Sequence, residues 1–325
     1  MKSTRAKALE KVELSPELEK LISSYPQMID VTGTCCYQYK GFVFSKRMLA
    51  GILACHESFE ARDSDIFLAT FPKSGTTWLK AIMFAVTQRA RFADMATHPL
   101  LSANPHSLLP FIEFDARFGN KESTEFEIGG PRRLLCTHLA TVALPQSVMS
   151  SGCKIVYLCR NPKDTCVSFW SFVNKINGDT DALSLDEFVD GFCDGNITFG
   201  SYWEHVLDYW NKANENPAKF LFLKYEELLK DPKKKIRKLA EFLEFPFSEE
   251  EEAEGLPDQI LELCSLSNMR NLQINKTGCF HYIPNEAFFR KGEAGDWINF
   301  LTDDMSKKID RFAAQKFGGT SLKFH

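Results

Sequence analysis

The chain has 325 residues, 44% of them hydrophobic, and a net charge of -4. Apolar content on that scale supports one large α/β core or two smaller ones, and the acidic balance excludes a global basic field for nucleic acid. The ten cysteines include no C-x-x-C pair and the seven histidines show no zinc-ligand spacing, while residues 1–20 lack an apolar signal core and no apolar run reaches membrane-spanning length. The expectation is a soluble, cytoplasmic protein with free thiols and no metal.

Residues 1–14 are polar and read as loose. Ser15-Pro16 opens a short helix, with serine as cap and proline in the first position. Residues 31–44 hold Tyr37, Tyr39, Phe42 and Phe44 and read as a strand or an aromatic flap. Arg47–Glu60 follows a helical period. Ile66-Phe67-Leu68-Ala69 is a short apolar run bounded by Asp65 and Pro72, which reads as a buried strand. Thr70-Phe71-Pro72-Lys73-Ser74-Gly75-Thr76-Thr77-Trp78 follows. Then Leu79–Val86 shows a helix pattern, with Thr76 or Thr77 as its natural N-cap.

Strand, tight loop and helix together make an anion site. A helix N-terminus presents unpaired N–H groups and a partial positive charge. Gly75 lets the backbone approach a ligand closely. Lys73 adds a full charge, and Ser74, Thr76 and Thr77 add hydroxyls. This phosphate cradle is not the G-x-x-x-x-G-K-[ST] loop, because it has one glycine and the lysine precedes it. Taken alone, the segment also fits an ordinary strand–helix turn with a surface lysine.

Phe92–Gly130 is long, irregular and rich in Pro, His and Phe. It reads as a wall or lid over an acceptor pocket, or as a surface insertion. Arg133–His138 reads as a second strand ending in histidine, and Lys154–Cys159 as a third, with Arg160 at its end. Asn161 caps the next helix, Pro162 opens it and Asp164 lies in its first turn; that helix carries Ser168 and Phe172. Further helices fall near 185–192 and 202–211. Phe220–Leu223 is a fourth strand, ending at Lys224-Tyr225. Asp231-Pro232 opens a helix to about Glu244, and Ser248 with the acidic run behind it fits a capping box. Asn268–Phe289 reads as a second long loop. Thr302–Phe317 reads as an amphipathic helix. Strands alternating with helices predict an α/β fold: a single domain with a parallel β-sheet flanked by helices on both faces. Ligands bind at the carboxyl ends of strands in such sheets, and Lys73, His138, Arg160 and Tyr225 all fall there.

Four segments in this order carry a resemblance. They are Pro72–Trp78; Thr137-His138-Leu139; Tyr157–Asp164 with Val167-Ser168; and Arg290-Lys291-Gly292 with Gly295-Asp296-Trp297. Together they resemble the cytosolic sulfotransferase family, which moves a sulfuryl group from 3′-phosphoadenosine 5′-phosphosulfate (PAPS). Ser168–Lys175 and Gly200–Leu207 look closest to plant members. The resemblance implies a P-loop-like sulfotransferase fold over residues 21–325, with 1–20 as a loose N-terminal segment. It implies PAPS as co-substrate, a small-molecule hydroxyl acceptor and no nucleic-acid or membrane partner.

The resemblance also distributes roles. Lys73, Ser74, Gly75, Thr76 and Thr77 would hold the 5′ end. Lys73 would also stabilise the leaving phosphate. Arg160, Ser168, Arg290, Lys291 and Gly292 would bind the 3′-phosphate. Trp78 and Tyr225 would contact the adenine, and His138 would be the general base. Phenols, flavonoids, sterols and hydroxylated hormones all fit as acceptors, and oligomeric state stays open. Cys136 stands where animal members carry an auxiliary lysine, Ala140 where many have Pro, and Ser171 where plant members commonly show His. Ser201 and Ile298 depart as well. These bear on substrate and rate. A small-molecule kinase with a nonstandard phosphate loop, or a PAPS-binding module without catalysis, are the alternatives. The kinase would need Mg²⁺, and no strand is followed by an acid suited to hold it.

Overall fold

The structure is a computed structural model that describes residues 14–114, 132–178, 182–281 and 283–324. It opens with the helix Pro16–Ser23, capped by the Ser15 side chain on the Leu18 N–H; the helix begins within the segment expected to be loose to residue 20, and its Ile22 is buried. Strands β1 (Gln27–Ile29), β2 (Cys35–Tyr39) and β3 (Phe42–Ser45) form a small antiparallel sheet. The aromatic stretch 31–44 is therefore mostly paired strand.

The central sheet has β4 (Ile66–Thr70), β5 (Leu134–Thr137), β6 (Lys154–Cys159) and β7 (Phe220–Lys224) in the order β5-β4-β6-β7, all parallel. Every residue of β4 and β5 is buried, as a sheet covered on both faces requires. Side chains alternate between two cores. Phe67, Ala69, Leu135, Ile155 and Tyr157 face one; Ile66, Leu68, Leu134, Cys136 and Val156 face the other. The parallel register brings the four carboxyl ends to one edge: Ala69 lies beside Thr137 and Tyr157, and Cys159 beside Lys224. Lys73, His138, Arg160 and Tyr225 leave the sheet from that edge.

Two local expectations are corrected. The helix after β4 is Thr76–Gln88, and its N-cap is Gly75, with no side-chain cap; Thr76 and Thr77 are its first two residues. Gly75 takes φ +108°, a left-handed backbone that threonine would enter only with strain. The section 268–289 is not a loop. It holds the helices Leu266–Asn271 and Gln273–Thr277, a two-residue hairpin and a 3₁₀ turn. Each helix is a turn or so long, too short to give a periodic signal. In the other irregular section, short turns and a helix at Pro105–Leu108 lead to Phe114; residues 115–131 lie outside the described residues.

A buried ion pair ties β4 to β5 at the far end of the sheet. Arg133 donates from Nε to Asp65 Oδ1 at 2.8 Å and from a terminal nitrogen to Oδ2 at 2.6 Å, and Asp65 is fully buried. Asp65→Ala leaves the guanidinium buried without its partner. The expected loss is about 3–5 kcal/mol of stability, read as a lower urea midpoint; an unchanged midpoint would refute the assignment.

Candidate active site

The cradle is built from strain and close packing. Lys73 has φ +68° and Gly75 φ +108°, so the loop turns twice through the left-handed region before the helix begins. A Cβ on Gly75 would meet the Tyr225 ring at 2.6 Å. Trp78 meets the same ring edge-on at 5.4 Å. The Tyr225 hydroxyl donates to Gly292 O at 2.7 Å. Arg160 lies over the Tyr225 ring at 4.7 Å and donates to Glu293 O at 2.6 Å. Buried Asp164 accepts from the N–H groups of Gly295 (2.7 Å) and Trp297 (3.1 Å). The loop 290–297 is thereby fastened to the ends of β6 and β7. Inside it Asp296 accepts from Lys291 at 2.7 Å, from Asn299 at 2.9 Å and from Arg290. Burial would raise the Asp296 carboxyl, but these hydrogen bonds bring it down to about 2. Ser168 lies one turn beyond Asp164 on the helix Pro162–Asn177 and is buried.

Several donors here are buried without a partner among the described residues: Ser74 Oγ, Arg160 Nε, and Arg290 Nε and one terminal nitrogen. An unpaired buried donor costs about 1–3 kcal/mol, so such a cluster calls for an acceptor. The donor set fits the phosphates of PAPS. The Lys73 Nζ sits 3.8 Å from the centre of the Phe172 ring. Desolvation, then the charges of Arg160, Arg290 and Lys175, push its amine down to about 7.

Beside the cradle stands His138, directly after β5. Its Nδ1 lies 2.7 Å from Thr70 O and 3.1 Å from Thr70 Oγ1. A carbonyl oxygen only accepts, so Nδ1 carries the proton and Nε2 keeps its lone pair. Desolvation, with help from Lys80, His205 and Lys73, pushes the ring down to about 3, against a raising pull from the Thr70 carbonyl. Aromatic rings surround it: Phe111 at 4.6 Å and Phe199 at 5.3 Å. Phe111 continues to Phe114 at 5.4 Å and to His106 at 5.7 Å, and His106 to Phe288 at 4.2 Å and Phe280 at 5.6 Å. Apart from Phe199, these rings come from the two irregular sections. The sections are joined by a hydrogen bond from Asn104 to Asn275 at 2.8 Å.

Contacts link Gly75, Trp78, Arg160, Tyr225 and Gly292 at this edge, with Arg290 and Lys291 tied in through Asp296 and His138 reached through Thr70 and Thr76. Others were missed. Glu113, buried, accepts the His138 N–H at 2.6 Å, and desolvation raises its carboxyl to about 7. Its own carbonyl packs on the helix Lys46–Ser58, where a Cβ on Gly51 would come within 2.2 Å of it. Lys80 is fully buried, donates to Leu109 O at 2.7 Å and lies 3.5 Å under the Phe111 ring. His205 bonds His138 O at 3.0 Å and Tyr157 OH at 2.8 Å. The available signals were a lone acid in Phe111–Phe114 and a lone lysine in an apolar helix.

The family model described as the sulfotransferase domain matches residues 63–321. Cytosolic sulfotransferase 8 of Arabidopsis thaliana is 45% identical over 312 residues, 95% of this chain and 93% of that protein. The crystal structure of an Arabidopsis thaliana sulphotransferase superposes with a TM-score of 0.75 at 37% identity, covering 100% of this chain and 99% of the other. A mouse sulfotransferase complexed with PAP gives 0.68 at 30% identity, covering 88% and 96%. No helix among the described residues is long and apolar enough to cross a membrane. The chain belongs to the cytosolic sulfotransferase family and is a PAPS-dependent sulfotransferase.

Proposed function

We propose that this enzyme transfers the sulfuryl group in line onto a hydroxyl of a flat, apolar acceptor, with His138 as general base. The observation that carries this reading is the His138 ring: Nδ1 held 2.7 Å from the Thr70 carbonyl, which assigns the proton there and the lone pair to Nε2, with aromatic rings packed around it. PAPS supplies the activated sulfuryl group and a phosphate leaving group. Lys73, Ser74, Gly75, Thr76 and Thr77 would hold its 5′ end. Arg160, Ser168, Arg290, Lys291 and Gly292 would hold the 3′-phosphate, with Trp78 and Tyr225 against the adenine. The unpartnered donors on Ser74, Arg160 and Arg290 support that division. Lys73 would offset the charge that grows on the leaving phosphate, a preorganised electrostatic contribution. We read the transfer as metal-free, because the groups facing the phosphates are cations and hydroxyls. The ring set of Phe111, Phe114, Phe199, Phe280 and Phe288 suits a phenolic, flavonoid or steroid-like acceptor.

Arg160→Ala removes a contact made equally in ground and transition states. PAP affinity should fall by roughly 1.5–3 kcal/mol in calorimetry, with turnover at saturation little changed; full affinity in the folded variant would remove Arg160 from the site.

Binding should also move protons. The Lys73 amine stands near 7 without a counter-anion, and a phosphate beside it favours the ammonium. PAP binding between pH 7 and 9 should therefore take up protons, seen as a buffer-dependent enthalpy. A buffer-independent enthalpy would mean that Lys73 is already fully charged.

His138→Ala should lose ~10²–10⁴ in turnover of an aliphatic alcohol, with less loss for a nitrophenol that is already partly ionised. In the wild type desolvation pushes the ring down to about 3, so the acid limb should lie below the ordinary histidine range. The assay uses saturating PAPS with EDTA present. Near-normal alcohol turnover in the variant would overturn the base, and loss of wild-type turnover in EDTA would overturn the metal-free reading.

A further inference from the structure

We propose that Thr70 is a positioning residue that couples His138 to the leaving phosphate through a directed chain of hydroxyls. The inference rests on His138 being the base. Thr70 ends β4 and is fully buried. Its Oγ1 lies 3.1 Å from His138 Nδ1 and 2.7 Å from Thr76 Oγ1. Thr76 opens the helix Thr76–Gln88, inside the phosphate cradle, and is buried.

One assignment of proton directions satisfies every group in the series. His138 Nδ1 carries a hydrogen, because it faces the Thr70 carbonyl at 2.7 Å. Thr70 Oγ1, beside that N–H, acts as an acceptor. Either hydroxyl could donate in the 2.7 Å contact with Thr76 Oγ1; we assign Thr70 as the donor, because its buried proton then has an acceptor and Thr76 keeps its own for the cradle. The Thr76 hydroxyl has no other hydrogen-bond partner among the described residues, so its proton is free to point into the cradle. Every donor in the series points the same way: imidazole to Thr70, Thr70 to Thr76, Thr76 to a bound phosphate.

Hydrogen bonds in series polarise one another, and more so away from water. In the transfer step the acceptor proton goes to His138 Nε2. A bond forms between the acceptor oxygen and sulfur, and the sulfur–oxygen bond to the phosphate breaks with its electron pair on the phosphate. No proton travels along the hydroxyls. The new imidazolium makes Nδ1–H a stronger donor at one end while the phosphate becomes a stronger acceptor at the other. The chain therefore strengthens only as the two charges develop, and stabilises both.

Thr70→Val removes the hydroxyl and keeps the carbonyl and the side-chain volume. Alcohol turnover at saturating PAPS should fall by roughly 10- to 100-fold, the equivalent of one hydrogen bond to a charged group. PAP affinity by calorimetry should change by less than about threefold, and nitrophenol turnover should fall less. Thr70→Ser should restore the rate. In a His138→Ala background, Thr70→Val should add no further loss, because both act through one ring. Unchanged alcohol turnover in folded Thr70→Val, or a full additive loss in the double variant, overturns the coupling. Alcohol turnover retained by His138→Ala alone overturns the base itself, and that arm reports it separately. A second readout needs no activity. In ¹⁵N-histidine-labelled protein, saturating PAP should shift the His138 Nδ1–H resonance in the wild type and not in Thr76→Val. No shift in the wild type, or an equal shift in both, also overturns the chain.

Discussion

Lys73, Arg160 and Arg290 direct positive charge at one small volume, and they repel one another. The rest of the site can be understood as the means of holding them there. Carboxylates would be the simplest counterweight, yet a carboxylate on every cation would compete with a phosphate for its N–H groups. The fold uses carboxylates sparingly. Asp296 takes Lys291 and one edge of Arg290, and Asp164 spends both oxygens chiefly on backbone N–H groups of the neighbouring loop. The remaining support comes from ring faces: Phe172 beside Lys73 and Tyr225 beneath Arg160. A ring face attracts a cation without occupying the nitrogens in the plane of a guanidinium. Charge is steadied while the hydrogen-bonding edge stays available.

The acceptor side obeys a different rule. The base we propose, His138, must be neutral in a place where an imidazolium is costly, and desolvation by burial favours the neutral ring. The same burial would penalise the proton transfer, because the charged ring must exist for an instant. A backbone carbonyl on Nδ1 lowers that cost without adding a fixed negative charge that would repel PAPS. Glu113 and His205 grip the backbone of His138 rather than its ring, which leaves Nε2 open for the role proposed above. Position is set through the main chain and reactivity through the side chain.

The fold was largely legible because its signals are local. Short apolar runs bounded by turn residues marked all four central strands, and Asn161-Pro162 and Ser248 marked their helix starts. Their common edge followed from the alternation of strand and helix. The cap at Gly75 was misread because threonine is the better capping side chain, whereas this turn is decided by the Tyr225 ring pressing on the loop. The helices in 266–277 escaped because tertiary contacts such as Asn104–Asn275, rather than periodicity, hold them. In the site, residues with their own motif were visible. Thr70, Lys80, Glu113 and His205 were not: Thr70 and His205 meet His138 across 68 and 67 positions, and Lys80 meets Leu109 across 29. Glu113 is closer, at 25 positions from His138, but no pattern in the letters joins the two.

The contact between Gly51 and the Glu113 carbonyl extends the reach of the site. Gly51 belongs to a helix that contributes no group to the chemistry, and its neighbour is a main-chain oxygen that cannot swing aside. Any side chain there must displace the segment whose carboxylate holds the His138 N–H. A variant screen would then score this helix position as if it were catalytic. A map of tolerated substitutions would show the site's constraints continuing into this helix through a main-chain contact.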